Sequence, residues 1–250
     1  LKTGFEAVKR QAAWAGIAPG MRILDVGCGC GATTAALTEL VGETGEVVGL
    51  DFSRDRIDQA REQYGAKQTT FVRHNILEPY HDDRMFDAIW SRFFLEYFRV
   101  EQRQVIENSL ASLRPGGIAC LVDLDNNSMG LYGQNDRLGQ TFAEIMGLLQ
   151  QDHNFDPYAG RRLYQHLFDL GFGDLACTVE THHLIYGQIN EVDSYNWLRK
   201  IEIAGKDSGS SFSLYRGGFE EFRQDVLSFL QDPVRFIYTP LIAARGVKPV

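Results

Sequence analysis

The chain has 250 residues, of which 44% are hydrophobic and 23% charged, and its formal net charge at pH 7 is −8. An aromatic content of 12% excludes a disordered chain, and the acidic balance disfavours nucleic acid as a partner. No apolar run approaches the roughly 18 residues of a membrane span. The amphipathic start, from Lys2 to Gly16, lacks a signal-peptide pattern. We therefore expect a cytoplasmic protein that does not act at a membrane.

The four cysteines do not follow a metal-binding pattern. Cys28 and Cys30 are separated by one residue rather than by the two typical of zinc ribbons, and no second pair lies at ligand spacing. We therefore expect no metal site. Reduced thiols are the ordinary state of cysteines in the cytoplasm.

Short apolar runs alternate with helical patterns along the first half of the chain. Strands are predicted over residues 21–26, 46–51, 69–73, 85–91 and 118–123. Helices are predicted over residues 32–41, 53–64 and 105–113, the second with Ser53 as its cap and Gly65 as its stop. Because parallel strands need long crossover connections, this alternation predicts a doubly wound α/β fold with a mostly parallel sheet and helices on both faces.

The second half continues the alternation less regularly. A helix is predicted around residues 142–149, and another begins at Asp156-Pro157 and stops at Gly171. A strand over 175–186, helices over 191–205 and 216–231, and a last strand over 236–244 complete the prediction. The predicted sheet thus has seven strands, with a helical insert before the last one. No linker divides the chain, so we expect a single domain of residues 1–250.

A glycine loop, Gly27-Cys28-Gly29-Cys30-Gly31, separates the first predicted strand from the first helix. Glycine lets the backbone turn tightly and approach a ligand, and a helix N-terminus favours a polar or anionic group. Asp51 ends the second predicted strand, which places a carboxylate beside the loop, within reach of two ribose hydroxyls. Being in a cleft at a strand end, Asp51 is expected to bind the ligand and to contribute little to stability. The loop and the acid together predict a nucleoside-containing ligand.

The spacing of the glycines discriminates between cofactors. A dinucleotide fingerprint has the pattern G-x-G-x-x-G, whereas this loop has G-x-G-x-G followed by Ala32. The triphosphate-binding pattern G-x-x-x-x-G-K-[ST] is absent as well. A nicotinamide cofactor is therefore disfavoured.

With this loop, the sequence resembles the class I S-adenosylmethionine-dependent methyltransferases, of the type that acts on small molecules. The residues that carry the resemblance are 23–31 (ILDVGCGCG), 48–53 (VGLDFS), 86–91 (FDAIWS) and 113–117 (LRPGG). It implies a Rossmann-like fold, S-adenosylmethionine as cofactor and S-adenosylhomocysteine as its product. It also implies a cofactor-binding half, 1–125, and two segments that cover the substrate, 126–160 and 187–232.

The same resemblance implies a set of cofactor-binding residues. The glycines would cradle the methionine part, Asp51 would bind the ribose, and Phe52 would lie against the adenine. Asn75 stands where the family usually has Asp, so it should hold the adenine amino group more weakly. Simpler roles stay open, such as packing for Phe52 and an ordinary turn for Asn75. The implied residues are Asp25, Gly27, Cys28, Gly29, Gly31, Asp51, Phe52, Asn75, Ile76 and Ser91.

Methyl transfer needs little acid–base chemistry because the sulfonium already activates the methyl group. Alignment and exclusion of water are the main requirements, and a base is needed only for a protonated acceptor atom. Adjacent strand residues face opposite sides, so at most one of His182 and His183 can face a common pocket. Surface or structural roles remain open for every candidate. The candidate bases are His182, His183, His153, Tyr158 and Glu96.

The function expected from the sequence is methyl transfer to an oxygen, carbon or nitrogen atom of a small organic acceptor. Two alternatives stay open: methylation of a protein or peptide side chain, and a methyltransferase-like protein that binds the cofactor without transferring methyl. The sequence leaves the acceptor and the oligomeric state open.

The glycine spacing generates a test of the cofactor. We expect S-adenosylhomocysteine to bind in a calorimetric titration and NAD to give no heat of binding, because the loop lacks the dinucleotide spacing. Binding of NAD in place of the adenosyl ligand would contradict the resemblance.

Overall fold

The computed structural model describes residues 2–250, with side chains from Gly4 onward; Leu1, the first residue of the predicted domain, lies outside the described residues. The strands are β1 (Arg22–Val26), β2 (Glu46–Asp51), β3 (Thr69–Arg73), β4 (Phe86–Arg92), β5 (Leu113–Leu124), β6 (Leu131–Tyr132), β7 (Gly173–Ile185) and β8 (Phe236–Val247). The α-helices are α1 (Lys2–Ala15), α2 (Ala32–Val41), α3 (Arg54–Tyr64), α4 (Gln102–Leu110), α5 (Asp136–Asp152), α6 (Leu163–Asp169), α7 (Glu191–Asp207) and α8 (Gly218–Gln231). Two 3-10 helices cover Leu95–Tyr97 and Ala159–Arg162.

The sheet has the strand order β3-β2-β1-β4-β5-β8-β6, with β7 paired to β8. The pairs β1–β2, β2–β3, β1–β4 and β4–β5 are parallel, and β6 runs antiparallel to β8. Strand order reverses between β1 and β4, the position at which open α/β sheets bind ligands. The predicted doubly wound, Rossmann-like fold is confirmed. The sheet has eight strands rather than seven because β6, only two residues long, is too short to show an alternating pattern.

Several predicted boundaries differ from the structure, and two of the differences have a local reason. The predicted helix over 105–113 ends at Leu110, and Leu113 begins β5, where it is fully buried and pairs with Phe86. Leu113 fits the helical spacing of the apolar residues before it, but it is buried as part of the sheet. The helix predicted from Asp156 begins only at Leu163. Asp156 Oδ1 accepts the N–H of Tyr158 at 2.9 Å, which closes a turn rather than capping a helix.

The backbone divides into two compact units. Unit 1 comprises the described residues up to Asp123, together with Gly160–Val179 and Ile242–Val250. Its central strands are buried on both faces: every residue of β1 is buried, as expected for a strand of a covered parallel sheet. All of the cofactor-binding residues that the resemblance implies lie within the bounds of unit 1.

Unit 2 comprises Leu124–Ala159 and Glu180–Leu241 and has its own core. Phe222 lies at its centre, with ring centroids of Phe142, Phe212 and Tyr215 at 5.9, 5.1 and 5.6 Å. Trp197 and Ile201 of α7 belong to the same cluster. Many of the aromatic residues in the two segments predicted to cover the substrate are thus core residues of this unit, and the covering role stays a prediction.

Two features of the described residues bear on partners. Among residues 2–250, no helix combines the length and the apolar character needed to cross a bilayer. Within the same part of the chain, no group of three or more His, Cys, Asp or Glu side chains is arranged to hold a metal ion.

Close packing at Gly31 generates a stability prediction. Gly31 has φ +86°, and an added Cβ would lie 2.8 Å from Phe71 Cζ and 2.9 Å from Ala60 Cβ. Gly42 has a similar φ of +69° but no atom within 4 Å of an added Cβ. In urea unfolding we expect Gly42→Ala to cost about 1 kcal/mol from backbone strain, and Gly31→Ala about 2–4 kcal/mol from strain and overpacking. Equal losses would show that packing at Gly31 is not tight.

Candidate functional site

The glycine loop is fastened to the end of β2 by its own backbone. The N–H groups of Gly27 and Cys28 both donate to the carbonyl of Leu50, at 2.8 and 2.9 Å. Gly31 N–H donates to the carbonyl of Cys28 at 3.0 Å and Gly31 begins α2 without a side-chain cap. The backbone N–H groups of the loop therefore mainly hold the loop in place. The glycines allow a ligand to approach the backbone closely and are needed less for hydrogen bonding to it.

The Asp51 carboxylate connects the loop to α3. Its Oδ2 accepts the N–H of Gly29 at 3.0 Å, and its Oδ1 accepts the N–H of Ser53 at 2.9 Å. The side chain is buried, and Ser53 in turn caps α3 by accepting the N–H of Arg56. These contacts argue against the expectation that Asp51 contributes little to stability, because its carboxylate satisfies two backbone donors of neighbouring segments.

Asp25 lies beneath the loop as a second buried acid. Its Oδ2 accepts the hydroxyl of Thr34, on α2, at 2.6 Å. Burial raises the pKa of Asp25 to about 7, with the charge of Asp51 adding to the shift and Thr34 and Arg92 opposing it. Burial likewise raises the pKa of the Cys28 thiol, so this cysteine is inert at neutral pH. Asp25 thus joins β1 to α2 in a largely uncharged state below pH 7.

A cavity of about 250 Å³ opens at the carboxyl ends of β1, β2 and β3. Five residues implied by the resemblance line it: Gly27, Asp51, Phe52, Asn75 and Ile76. The lining residues that sequence reasoning missed are Val26, Leu50, Ser53, Arg56, His74, Phe93, Phe94 and Tyr97. The implied residues that lie outside this lining are Asp25, Cys28, Gly29, Gly31 and Ser91. The first four of these belong to β1 and the loop that form the cavity floor, and Ser91 is buried in β4.

One wall of the cavity carries the residues expected near an adenine. Phe52 is 64% exposed, and the guanidinium of Arg73 lies 5.5 Å from its ring centroid. Phe52 is therefore not a core residue. Asn75 Oδ1 accepts the N–H of Leu77 at 3.2 Å, so Asn75 does form an ordinary turn while it also lines the cavity. Ile76 is buried and offers an apolar surface.

Phe94 lies directly against the glycine loop. Gly27 has φ +77°, and a Cβ at this position would lie 2.2 Å from Phe94 Cδ2. Phe93 adopts φ +55°, unusual for a bulky residue, and Asp123 Oδ2 accepts the N–H of Phe94 at 3.2 Å. The pair Phe93-Phe94 directly follows β4, and the rule that ligands bind at the carboxyl ends of parallel strands could have identified it.

Tyr97 lines the same cavity and is close to Glu96, one of the candidate bases. Burial raises the pKa of Tyr97 to about 12, the Glu96 and Asp123 carboxylates add to the shift, and Arg56 opposes it. Glu96 is buried in the 3-10 helix, and its N–H donates to Asp123 Oδ2 at 3.2 Å. The phenol therefore stays protonated at neutral pH. Glu96 itself is not among the lining residues.

The other four candidate bases belong to unit 2, and none lines this cavity. His153 is exposed at the end of α5, and Tyr158 is half-buried. His182 is exposed, whereas His183 is half-buried with its ring centroid 5.4 Å from that of Trp197. A catalytic role for each stays a prediction.

Comparison with known proteins identifies a domain in the first half of the chain. A family model described as "Methyltransferase domain" matches residues 23–117, which contain the glycine loop and Asp51. The demethylmenaquinone methyltransferase of Shouchella clausii is 39% identical over 106 residues, 41% of this chain and 45% of that protein. The enzyme of the same name from Bacillus cereus is 35% identical over 109 residues, 42% and 46% of the two chains. The chain thus matches less than half the length of these curated relatives.

Solved structures show the same fold over the whole chain. A provisionally assigned methyltransferase of Bacillus halodurans C-125 is similar over 97% of this chain and 99% of its own, with a TM-score of 0.62 and 19% identity. The [4+2]-cyclase SpnF is similar over 98% and 82% of the two chains, with a TM-score of 0.57 and 18% identity. At these identities the likeness concerns the fold alone.

Residues 23–117 match a methyltransferase domain, and this match supports the class I S-adenosylmethionine-dependent methyltransferase family that the sequence resembles. The domain match also supports S-adenosylmethionine, the cofactor predicted from the sequence. The individual cofactor contacts stay predictions.

The double role of Asp51 generates a prediction. In Asp51→Asn, one oxygen is replaced by an amide that faces a backbone N–H, so one buried donor loses its acceptor. We expect the variant to lose about 1–3 kcal/mol of unfolding free energy without ligand and about 5- to 150-fold in affinity for S-adenosylhomocysteine. Asp58→Asn, whose side chain is exposed on α3, is the control and should change neither quantity. An unchanged melting temperature for Asp51→Asn would contradict the structural role.

The raised pKa of Asp25 generates a pH prediction. Its pKa rises from 3.8 to about 7 on folding, so between these values the folded chain holds a proton that the unfolded chain has lost. Stability from this group is therefore lost as the pH rises from about 4 to about 7. Asp25→Asn keeps the acceptor for Thr34 but cannot ionise. We expect urea unfolding to show the variant gaining stability relative to the wild type over this range; parallel pH profiles would contradict the assignment.

Proposed function

We propose that the chain transfers the methyl group of S-adenosylmethionine to a small organic acceptor. The observation that carries this proposal is the position of Asp51. It lies at the carboxyl end of β2, lines the cavity together with Gly27, and falls within the segment that matches the methyltransferase family model.

The residues of the cavity fit this cofactor. Each Asp51 oxygen accepts one backbone N–H, which leaves a second lone pair on each oxygen for the two ribose hydroxyls. Phe52 and Ile76 would border the adenine with apolar surface. Gly29 has no atom within 4 Å of where a Cβ would lie, so the methionine part can approach the backbone there.

When bound, the cofactor supplies a methyl group that its sulfonium has already activated. The protein must then bind and orient the cofactor and the acceptor, and it must keep water away from them. Phe93 and Phe94 line the cavity beside Gly27 and would exclude water from its loop side. Tyr97 keeps its proton at neutral pH and can therefore donate a hydrogen bond, but it is not a base.

The acceptor is proposed to be a small aromatic or quinone-like molecule. The curated relatives are named demethylmenaquinone methyltransferases, and the match to them covers the cofactor-binding segment. Unit 2, which lies outside that match, would supply the selectivity for the acceptor. Its segments 126–160 and 187–232 hold most of its aromatic residues.

One alternative has an observation in its favour. The [4+2]-cyclase SpnF has the same fold, so this architecture also occurs in a protein named for a different reaction. Cofactor binding without methyl transfer would be the equivalent outcome for this chain.

Separate measurements of binding and transfer test the proposal. The chain is titrated with S-adenosylhomocysteine by calorimetry and incubated with methyl-labelled S-adenosylmethionine and a reduced 1,4-naphthoquinone. We expect S-adenosylhomocysteine to bind. We also expect the labelled methyl group to appear in the organic extract, in a strongly reduced amount with Asp51→Ala and in an unchanged amount with Asp58→Ala. Binding without label in any quinol, phenol or peptide tested would favour the alternative, and no binding would contradict both.

A further inference from the structure

Of the three arginines on α3, Arg56 is the one that lines the cavity. The other two are engaged elsewhere: Arg54 pairs with Asp58 at 3.9 Å, and Nη2 of Arg61 donates to the carbonyl of Phe71 at 2.8 Å. The guanidinium of Arg56 makes neither a hydrogen bond nor an ion pair with another described residue. Its donors are therefore available to a ligand in the cavity.

The start of α3 places Arg56 close to Asp51. Ser53 caps the helix by accepting the N–H of Arg56 at 3.4 Å, and the N–H of Ser53 donates to Oδ1 of Asp51 at 2.9 Å. Side chains of a helix lean toward its N-terminus, so a residue of the first turn leans toward the segment that precedes the helix. Asp51 belongs to that segment, and both side chains line the same cavity.

Arg56 is also the only lysine or arginine among the described residues that line the cavity. Its charge reaches Tyr97, another lining residue, where it opposes the increase in pKa that burial causes. Arg73, near the same wall, does not line the cavity and is already bound to Phe52. Its Nε donates to the Phe52 carbonyl at 3.1 Å, and its guanidinium lies 5.5 Å from the ring centroid. The cavity thus has one cationic side chain with free donors.

A carboxylate and a guanidinium side by side match a sugar hydroxyl. A hydroxyl donates one hydrogen and accepts through two lone pairs, whereas a carboxylate only accepts and a guanidinium only donates. If Asp51 takes the protons of the two ribose hydroxyls, the lone pairs of those oxygens still need a donor. Arg56 can supply it. A deoxyribose carbon can make neither of these hydrogen bonds.

We propose that Arg56 donates a hydrogen bond to a ribose hydroxyl whose proton Asp51 accepts, so that the two side chains together select a ribonucleoside. This inference rests on the proposed function, since it adds a binding residue to the cofactor site described there. An arginine beside a ribose can also bind a phosphate on that ribose. Here the Asp51 carboxylate would repel such a phosphate, so the pair favours an unmodified diol.

A comparison of natural and deoxy ligands tests the contact. The wild type and Arg56→Met are titrated by calorimetry with S-adenosylhomocysteine and with its 2′-deoxy and 3′-deoxy analogues. We expect Arg56→Met to bind S-adenosylhomocysteine about five- to tenfold more weakly. For at least one analogue, loss of the hydroxyl should cost the variant about fivefold less affinity than it costs the wild type, because the contact with Arg56 is already absent.

Two further variants serve as controls. Arg54→Met, on the same helix but outside the cavity lining, should keep both the affinity and the penalties for the deoxy analogues. Arg56→Lys keeps a charged donor and should recover part of the affinity. The melting temperature of Arg56→Met without ligand should match that of the wild type, because its exposed side chain has no partner to lose and its backbone N–H still caps α3.

The outcomes separate this contact from the cofactor assignment. Unchanged affinity of Arg56→Met for S-adenosylhomocysteine would overturn the proposal and leave the cofactor site intact. Weaker binding with equal penalties for both deoxy analogues in the two proteins would also overturn it, because Arg56 would then act on another part of the ligand. Failure of the wild type to bind S-adenosylhomocysteine would instead overturn the proposed function.

Discussion

The carboxylate of Asp51 is the interaction on which the cavity depends. It accepts one backbone N–H from the glycine loop and one from the start of α3, so a single charged group fixes two segments that are separate in sequence. Charge-assisted hydrogen bonds of this kind are stronger than those between neutral groups. Because the carboxylate also lines the cavity, the same group that shapes the site faces the ligand.

Asp25 and Asp51, the two acids near the glycine loop, have different roles. Asp25, beneath the loop, is held by Thr34 and has its pKa raised by burial, in part because Asp51 carries a charge nearby. Asp51 instead accepts two backbone N–H groups from neighbouring segments. The pair therefore combines a structural acid with a charged one, and a ligand with positive charge is electrostatically favoured beside it. S-adenosylmethionine, with its sulfonium and ammonium groups, has that character.

The core of unit 2 is apolar except for a few buried polar atoms. The aromatic residues packed around Phe222, in edge-to-face and tilted contacts, form the apolar core of this small unit. His183 and Trp197 contribute to that packing through their rings, yet each keeps a nitrogen without a partner among the described residues.

The sequence by itself determined β1, β2 and β3 and the glycine loop beside the cavity. The strands predicted from the sequence match β1, β2 and β3 within one residue, because local periodicity and turn chemistry act over short distances. Asp51 and the glycines followed from the order of strand, loop and helix. Tertiary structure alone decided that Leu113 belongs to a strand, that Phe94 packs on Gly27, and that Asp51 holds two backbone segments. These depend on contacts between residues distant in sequence, and no local pattern encodes which distant partner a side chain will meet.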